Sequence, residues 1–249
     1  MKTFFWSGKW TKFQLMRSFK ELREHLPQTR RLTKKAFTDL LVKYRDIVVK
    51  PDFGSRGEGV CRISEVGQDL YVIHMDNIQT TVTGKEKAYE SVRSMGKMSS
   101  HIVQRRIPLA TIDGRPFDLR VIVQRKKLSD AWKVTGKVAK VAGEGYIVTN
   151  IEKSKGSVLP LKTALERSSL KHCSRRALVS DINKVSLLSA ERLGNTELYS
   201  DQRVFGMDLG LDQDGHVWVI EVNLAPLFSH FRYLKDKTMY RRIMEYDRG

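Results

Sequence analysis

Asp208, Glu221 and Asn223 are three oxygen-bearing side chains in the stretch 205–223, which reads as two strands joined by a polar turn at Asp212 to Gly215. Side chains alternate faces along a strand, so Asp208 shares a face with Gly206 and Gly210, and Glu221 shares one with Asn223. A four-residue loop would set Asp208 opposite Val219 and Glu221 opposite Gly206. The two carboxylates are then diagonal neighbours, about 7–8 Å apart at the backbone. That gap suits one or two hard cations, with Gly206 leaving room for the ion. Hard oxygen donors favour magnesium, which usually arrives with phosphates and keeps some of its waters. The alternative is a plain hairpin with a charged wet face. The apolar run Val217 to Ile220 argues against it, because it implies burial, and a buried carboxylate without a partner is costly.

Two further sets of residues suit anion chemistry. Lys50 ends the apolar run Ile47 to Val49 and precedes Gly54-Ser55-Arg56-Gly57-Glu58-Gly59. Such a loop brings backbone N–H groups close to phosphate oxygens without Cβ clashes, and Lys50 adds a point charge. No Gly-Lys-Ser/Thr follows, so the loop is not a Walker A motif, and a flexible turn between strands is the alternative. Asp118 and Arg120 lie on one face of a strand whose other face carries Phe117, Leu119, Val121 and Val123. They form either a surface ion pair of little worth or a site in which Arg120 stabilises a transferring phosphoryl group. Lys133 and Lys137, on the next strand, are further candidates for a phosphate contact. His74, His101 and His216 cluster with no other ligand type and read as structural.

The elements that must position these groups alternate between types. Thr33 caps a helix over about 34–44, Ile47 to Val49 is a buried strand, and 60–63 and 70–74 are returning strands. A helix follows over about 85–95, then strands over 102–108, 116–125 and 132–141. A long helix covers 174–193, and a terminal helix covers about 234–246. Residues 1–30 are basic and aromatic without clear periodicity. The order is α+β with antiparallel sheets rather than a run of βαβ units.

The 249 residues are 41% hydrophobic, enough for one larger domain or two small ones. No apolar run approaches the roughly 20 residues that span a bilayer, and the N-terminus lacks the pattern of a signal peptide. Cys61 and Cys173 give neither a disulfide framework nor a metal-binding spacing, which fits a reducing, cytoplasmic setting. The net charge of +17 implies anionic partners. The basic residues are spread along the chain without an RNA-binding signature, so nucleic acid is disfavoured and a polyanionic substrate or matrix explains the charge as well.

Lys50-Pro51, the loop from Gly54 to Gly59, Phe117-Asp-Leu-Arg120, Thr149-Asn150 and Asp208 with Glu221-Val-Asn223, taken in order, resemble the ATP-grasp superfamily. Within it, Leu26-Pro-Gln-Thr29, Gly114 to Arg120 and Ile147 to Asn150 look like the YheC/YheD group of endospore coat-associated proteins. The resemblance covers roughly residues 26–249. It implies two α+β subdomains gripping ATP, here lacking most of the usual preceding domain. The implied division is an N-terminal segment 1–28, a small lid subdomain 29–103 and a large subdomain 104–249 carrying the metal site. By the same analogy Lys50 and the loop residues Gly54, Ser55, Arg56, Gly57 and Gly59 hold ATP phosphates. Gln104, Arg105 and Ile107 form the hinge beside adenine, and Asp118 joins the nucleotide site. Asp208, Glu221 and Asn223 hold Mg²⁺, and Arg120 and Asn150 act near the γ-phosphate. An early lysine commonly contacts ATP in the superfamily, with Lys34 and Lys35 as candidates here. The implied chemistry is ADP-forming ligation of a carboxylate to an amine or thiol through an acyl phosphate, in the cytoplasm or at the spore coat. A non-catalytic ATP-binding coat protein, docked on anionic coat or cell-wall polymer, is the alternative.

Overall fold

A computed structural model of the chain describes residues 7–54, 57–94, 100–146, 149 and 151–249. Its described residues fold around two antiparallel six-stranded sheets, each with its own apolar core. The first sheet contains β1 (Thr29–Arg31), β2 (Asp46–Pro51), β3 (Cys61–Gly67), β4 (Leu70–Met75), β5 (Ile78–Thr83) and β6 (His101–Arg105), in the order β1-β6-β2-β3-β4-β5. Alternation along β2 sends Ile47 and Val49 into the core, where Phe37, Leu40 and Leu41 of helix α2 (Lys34–Tyr44) and Ala88 and Val92 of α3 (Lys85–Ser94) meet them. Val48 and Lys50 are left on the opposite face. Thr33 caps α2 as expected, its hydroxyl accepting from the Ala36 amide at 3.0 Å.

The second sheet contains β7 (Thr111–Ile112), β8 (Arg115–Gln124), β9 (Lys133–Val141), β10 (Ser157–Pro160), β11 (Val204–Leu211) and β12 (Val217–Asn223). Its order is β10-β9-β8-β11-β12, with β7 paired to β8. One face is apolar. Phe117, Leu119, Val121 and Val123 join Phe205, Met207, Leu209 and Leu211 in a core closed by α5 (Leu161–Arg167) and α6 (Arg175–Gly194). On the other face, Ile122 and Val138 are covered by Phe231 of α7 (Ser229–Arg232) and Ile243 of α8 (Thr238–Arg248). The remainder of that face is polar. A single-turn helix, α4 (Ile151–Ser154), leads into β10.

The N-terminal stretch that showed no periodicity forms a helix, α1 (Lys9–Ser18), and a 3₁₀ turn over Lys20–His25. Phe13, Met16, Leu22 and Leu26 from it are part of the second sheet's core. The start of α1 is tied to the end of β2. Asp52 is 3% exposed and its Oδ1 accepts from the Trp10 amide at 2.7 Å, which satisfies an amide that a helix leaves open in its first turn. Gly8 is needed at this contact, because a Cβ there would lie 2.3 Å from Asp52 Oδ1. The terminal helix begins at Thr238 rather than near 234, since Asp236 and Lys237 form a turn whose Asp236 carboxylate accepts from the Thr238 amide.

Candidate active site

The hairpin of β11 and β12 pairs differently from the four-residue-loop reading. Leu211 lies opposite Val217, and a bulge at Ile220 then shifts the register, so that Asp208 faces Glu221 directly and Gly206 faces Asn223. Unbroken alternation would send Glu221 and Asn223 into the core after Val217 and Val219. The bulge reverses the phase, leaving Val217, Val219 and Val222 in the core while Glu221 and Asn223 join Asp208 on the polar face. Gly206 does not leave space for an ion: a Cβ there would meet Pro226 at 2.4 Å.

Asp208 is the centre of a buried charge cluster. Arg120 donates to it twice, Nε to Oδ1 at 2.8 Å and Nη2 to Oδ2 at 3.0 Å. Lys140 on β9 lies 3.0 Å from Asp208 Oδ1 and 3.1 Å from Asp118 Oδ1. Asn223 Nδ2 donates to Asp208 Oδ2 at 3.1 Å, and the Thr149 hydroxyl contacts Asp118 Oδ2. Burial alone would raise the Asp208 pKa, but Arg120 and Lys140 outweigh it and hold the carboxyl far below its ordinary range. Asp118 goes the other way: burial raises its pKa despite Lys140, and the neighbouring Asp208 charge adds to the rise.

Lys140 had not been singled out in the sequence. It stands opposite Asp118 in the β8–β9 register, so its parity was available from pairing. The lysines that were singled out are elsewhere. Lys133 is exposed at the end of β9, and Lys137 crosses to the helical side, where it donates to Asn183 of α6 at 2.7 Å. Lys34 and Lys35 are exposed and pair with Glu86 and Asp39, away from the cleft. The early lysines that line the cleft are Lys9 and Lys12 of α1.

The two polar sheet faces enclose a cleft of about 770 Å³. From the first sheet come Val48, Lys50, Gly54, Gly57 and Gln104; from the second come Asp118, Arg120, Lys140, Asp208, Glu221 and Asn223. Gly54, Gly57 and Gly59 have φ of 114°, 71° and 68°, a region that L side chains rarely adopt, so this loop requires its glycines. Ser55, Arg56 and Asn150 lie outside the described residues. Lys50 Nζ donates to Gln104 Oε1 at 2.7 Å, and Gln104 Nε2 donates to Thr29. Arg105 stacks over Tyr44 and Trp218, at 5.1 and 5.3 Å. Beyond it the chain passes buried Ile107 to Leu109, which bridges Asp212 of the second sheet. Residues 106–109 therefore link the two sheets beside the cleft. Lys9 Nζ reaches both Glu221 Oε1 at 3.4 Å and the Gly54 carbonyl at 3.0 Å. His230 also lines the cleft, and burial, with Arg120 and Lys140 nearby, lowers its pKa to about 4.

Burial lowers the Lys50 pKa to about 8, against the attraction of Glu221. In the ligand-free protein the ammonium therefore loses its proton above about pH 8, whereas the unfolded chain keeps it to 10.5. If Lys50 contacts a nucleoside triphosphate, as the resemblance implies, affinity for it is expected to weaken as pH rises above about 8, by up to about tenfold per unit, because binding then takes up a proton. Ligand-free stability has the opposite sign across the same window, since the unfolded state binds the extra proton. Calorimetric titration in two buffers of different ionisation enthalpy reads the proton uptake; a pH-independent affinity between 7 and about 9.5 contradicts the role given to Lys50.

Two α+β halves closing on a cleft, one with a lysine and a glycine loop and the other with a carboxylate–arginine cluster, define an ATP-grasp fold. Solved structures share it: an ADP complex of purK, N5-carboxyaminoimidazole ribonucleotide synthetase, superposes with a TM-score of 0.56 at 11% identity over 95% of this chain and 50% of that one. The L-amino acid ligase from Bacillus licheniformis superposes with a TM-score of 0.54 at 14% identity, over 96% of this chain and 47% of that one. The chain belongs to the YheC/D-like ATP-grasp family, whose model matches residues 2–248. It is 27% identical to the endospore coat-associated protein YheD of Bacillus subtilis (strain 168) over 98% of its own length. It spans 54% of that relative. Among the described residues, no helix is long and apolar enough to cross a membrane.

Proposed function

We propose that the chain is an ATP- and Mg²⁺-dependent ligase joining a carboxylic acid to an amine or thiol and releasing ADP. The observation that carries this reading is the Arg120–Asp208–Lys140 cluster facing Lys50 and the glycine loop across one cleft. Asp208, Glu221 and Asn223 present only oxygen donors once the Asn223 carboxamide is turned, and among the described residues Glu221 holds a single ion pair, with Lys9. This set fits Mg²⁺, which would supply charge neutralisation between phosphate oxygens. The cation pairs of Asp208 would be shared with the incoming phosphates.

In this reading Lys50 and Lys9 hold the phosphate chain, and the glycine loop closes on it. Gln104, Arg105 and Ile107 lie beside the base, and Asp118 keeps Lys140 in place. The acid's oxygen attacks the γ-phosphorus and the bond to ADP breaks, giving an acyl phosphate. The amine then attacks the acyl carbon, inorganic phosphate leaves, and the amine proton is lost. Arg120 and Lys140 neutralise charge on the transferring phosphoryl group, a role that asks mainly for position. Asn150 is assigned beside them by its place in the family motif.

Acid-dependent ADP release, screened with the common L-amino acids as donors and hydroxylamine as the nucleophile, tests this. Hydroxamate formed in step with ADP is the expected result. Tight nucleotide binding with no acid-dependent ADP release would favour a second reading, a non-catalytic ATP-binding protein of the spore coat, which rests on the likeness to YheD. The acid and amine, and docking on polyanionic coat or wall polymer, belong to the same proposal.

A further inference from the structure

Lys12 is 8% exposed, yet it lines the cleft. Its ammonium has no hydrogen bond or ion pair among the described residues, whereas several neighbouring cations are paired. Lys9 holds Glu221 and Gly54, Lys50 holds Gln104, Arg120 and Lys140 hold Asp208, and Arg62 and Arg106 hold Asp46. A buried, unpaired lysine is costly, and burial lowers its pKa, with Glu221 opposing and Lys9 adding to the fall. Its neighbours on α1, Phe13 and Met16, belong to the core, while Lys12 lines the cleft.

The position of Lys12 separates it from the phosphate groups. Sheet order runs Lys140 on β9, Arg120 on β8, Asp208 on β11 and Glu221 on the edge strand β12, and α1 packs beside β12. Lys12 thus approaches Glu221 from the side away from Arg120 and Lys140. One turn earlier, Lys9 already reaches the glycine loop. A triphosphate engaged by Lys9, Lys50, Arg120 and Lys140 leaves Lys12 without an anion; of the other cleft cations, Arg105 stacks on Tyr44 and Trp218 and Arg203 donates to the Tyr246 carbonyl.

We propose that the Lys12 ammonium receives a second carboxylate of the acid substrate, apart from the one that is phosphorylated, so that α1 builds the far end of the acid-binding part of the cleft. The inference rests on the ligase reading above. A carboxylate and a phosphate oxygen are both anions that would satisfy Lys12, and the test separates them. Thermal unfolding and calorimetric titration are run on the full chain and on Lys12→Met and Lys12→Arg, with succinate as the carboxylate probe and the non-hydrolysable Mg·AMPPNP as the nucleotide.

Succinate is expected to stabilise the wild type. In Lys12→Met its affinity falls by about tenfold or more while Mg·AMPPNP affinity stays within about twofold, and Lys12→Arg keeps most of the succinate response. Ligand-free Lys12→Met melts close to the wild type, because no ion pair is lost with the ammonium. A matching loss of Mg·AMPPNP affinity would give Lys12 to the nucleotide. Succinate binding that is absent in the wild type, or unchanged in Lys12→Met, overturns the proposal. Failure of the wild type to bind Mg·AMPPNP would sink the ligase reading alone, since the succinate arm is also run without nucleotide.

Discussion

Glu221→Ala is expected to remove Mg·ATP-dependent stabilisation while leaving the ligand-free protein nearly as stable as before. Among the described residues Glu221 pairs only with Lys9, at 3.4 Å, and its side chain is 25% exposed. A pair of this kind contributes at most about 1 kcal/mol, roughly 2–4 °C in a chain of this size. The loss of the ligand effect is much larger. A nucleotide at about 100 times its Kd adds roughly 2.7 kcal/mol, and that increment disappears if Glu221 is a metal ligand. Differential scanning fluorimetry with Mg·ATP, with ATP in EDTA and without ligand reads both quantities. A Glu221→Ala protein that melts far lower without ligand, yet keeps its Mg·ATP shift, would mean that the hairpin carboxylate serves the fold.

Asp208→Ala is expected to damage both properties. Asp208 is 8% exposed and accepts from Arg120, Lys140 and Asn223. Its removal leaves Arg120 without its two-bond partner and Lys140 with Asp118 alone of its two ion pairs among the described residues. Breaking a buried pair from one side costs about 3–5 kcal/mol, which corresponds to roughly 6–20 °C. If Asp208, Glu221 and Asn223 hold Mg²⁺ as proposed, nucleotide binding is lost as well, because that set loses its central carboxylate. Comparing the two alanine variants is informative: one separates ligand binding from stability and the other joins them. A ligand-free melting temperature for Asp208→Ala within about 2 °C of the wild type would show the cluster to be wetter and weaker than its geometry implies.

Much of this arrangement was legible in the chain. Alternation alone put Asp118 and Arg120 on one face and Phe117, Leu119, Val121 and Val123 on the other, and α2 and α6 followed from the Thr33 cap and apolar periodicity, whereas α5 and α7 had no such signal. The glycine loop was visible because positive φ at Gly54, Gly57 and Gly59 excludes other residues. The misses have local causes. A bulge at Ile220 is set by the need to bury both Val219 and Val222, a tertiary demand that turn counting does not contain. The helix α1 has no side-chain cap and few apolar positions; it is held by core packing and by Asp52, some 40 residues away. Lys9 and Lys12 were overlooked for that reason, since a lysine gains a site only once its helix is placed. Lys140 was passed over for Lys133 and Lys137 because β9 was read alone, without its register against β8.

The central claim is that the cleft between the two sheets binds a magnesium nucleotide, and titration of the wild-type chain with AMPPNP in the presence of Mg²⁺ or of EDTA tests it most directly. The account predicts one nucleotide per chain, bound with an affinity that drops sharply in EDTA. Binding that is absent in both, or equal with and without Mg²⁺, would contradict the assignment of Asp208, Glu221 and Asn223.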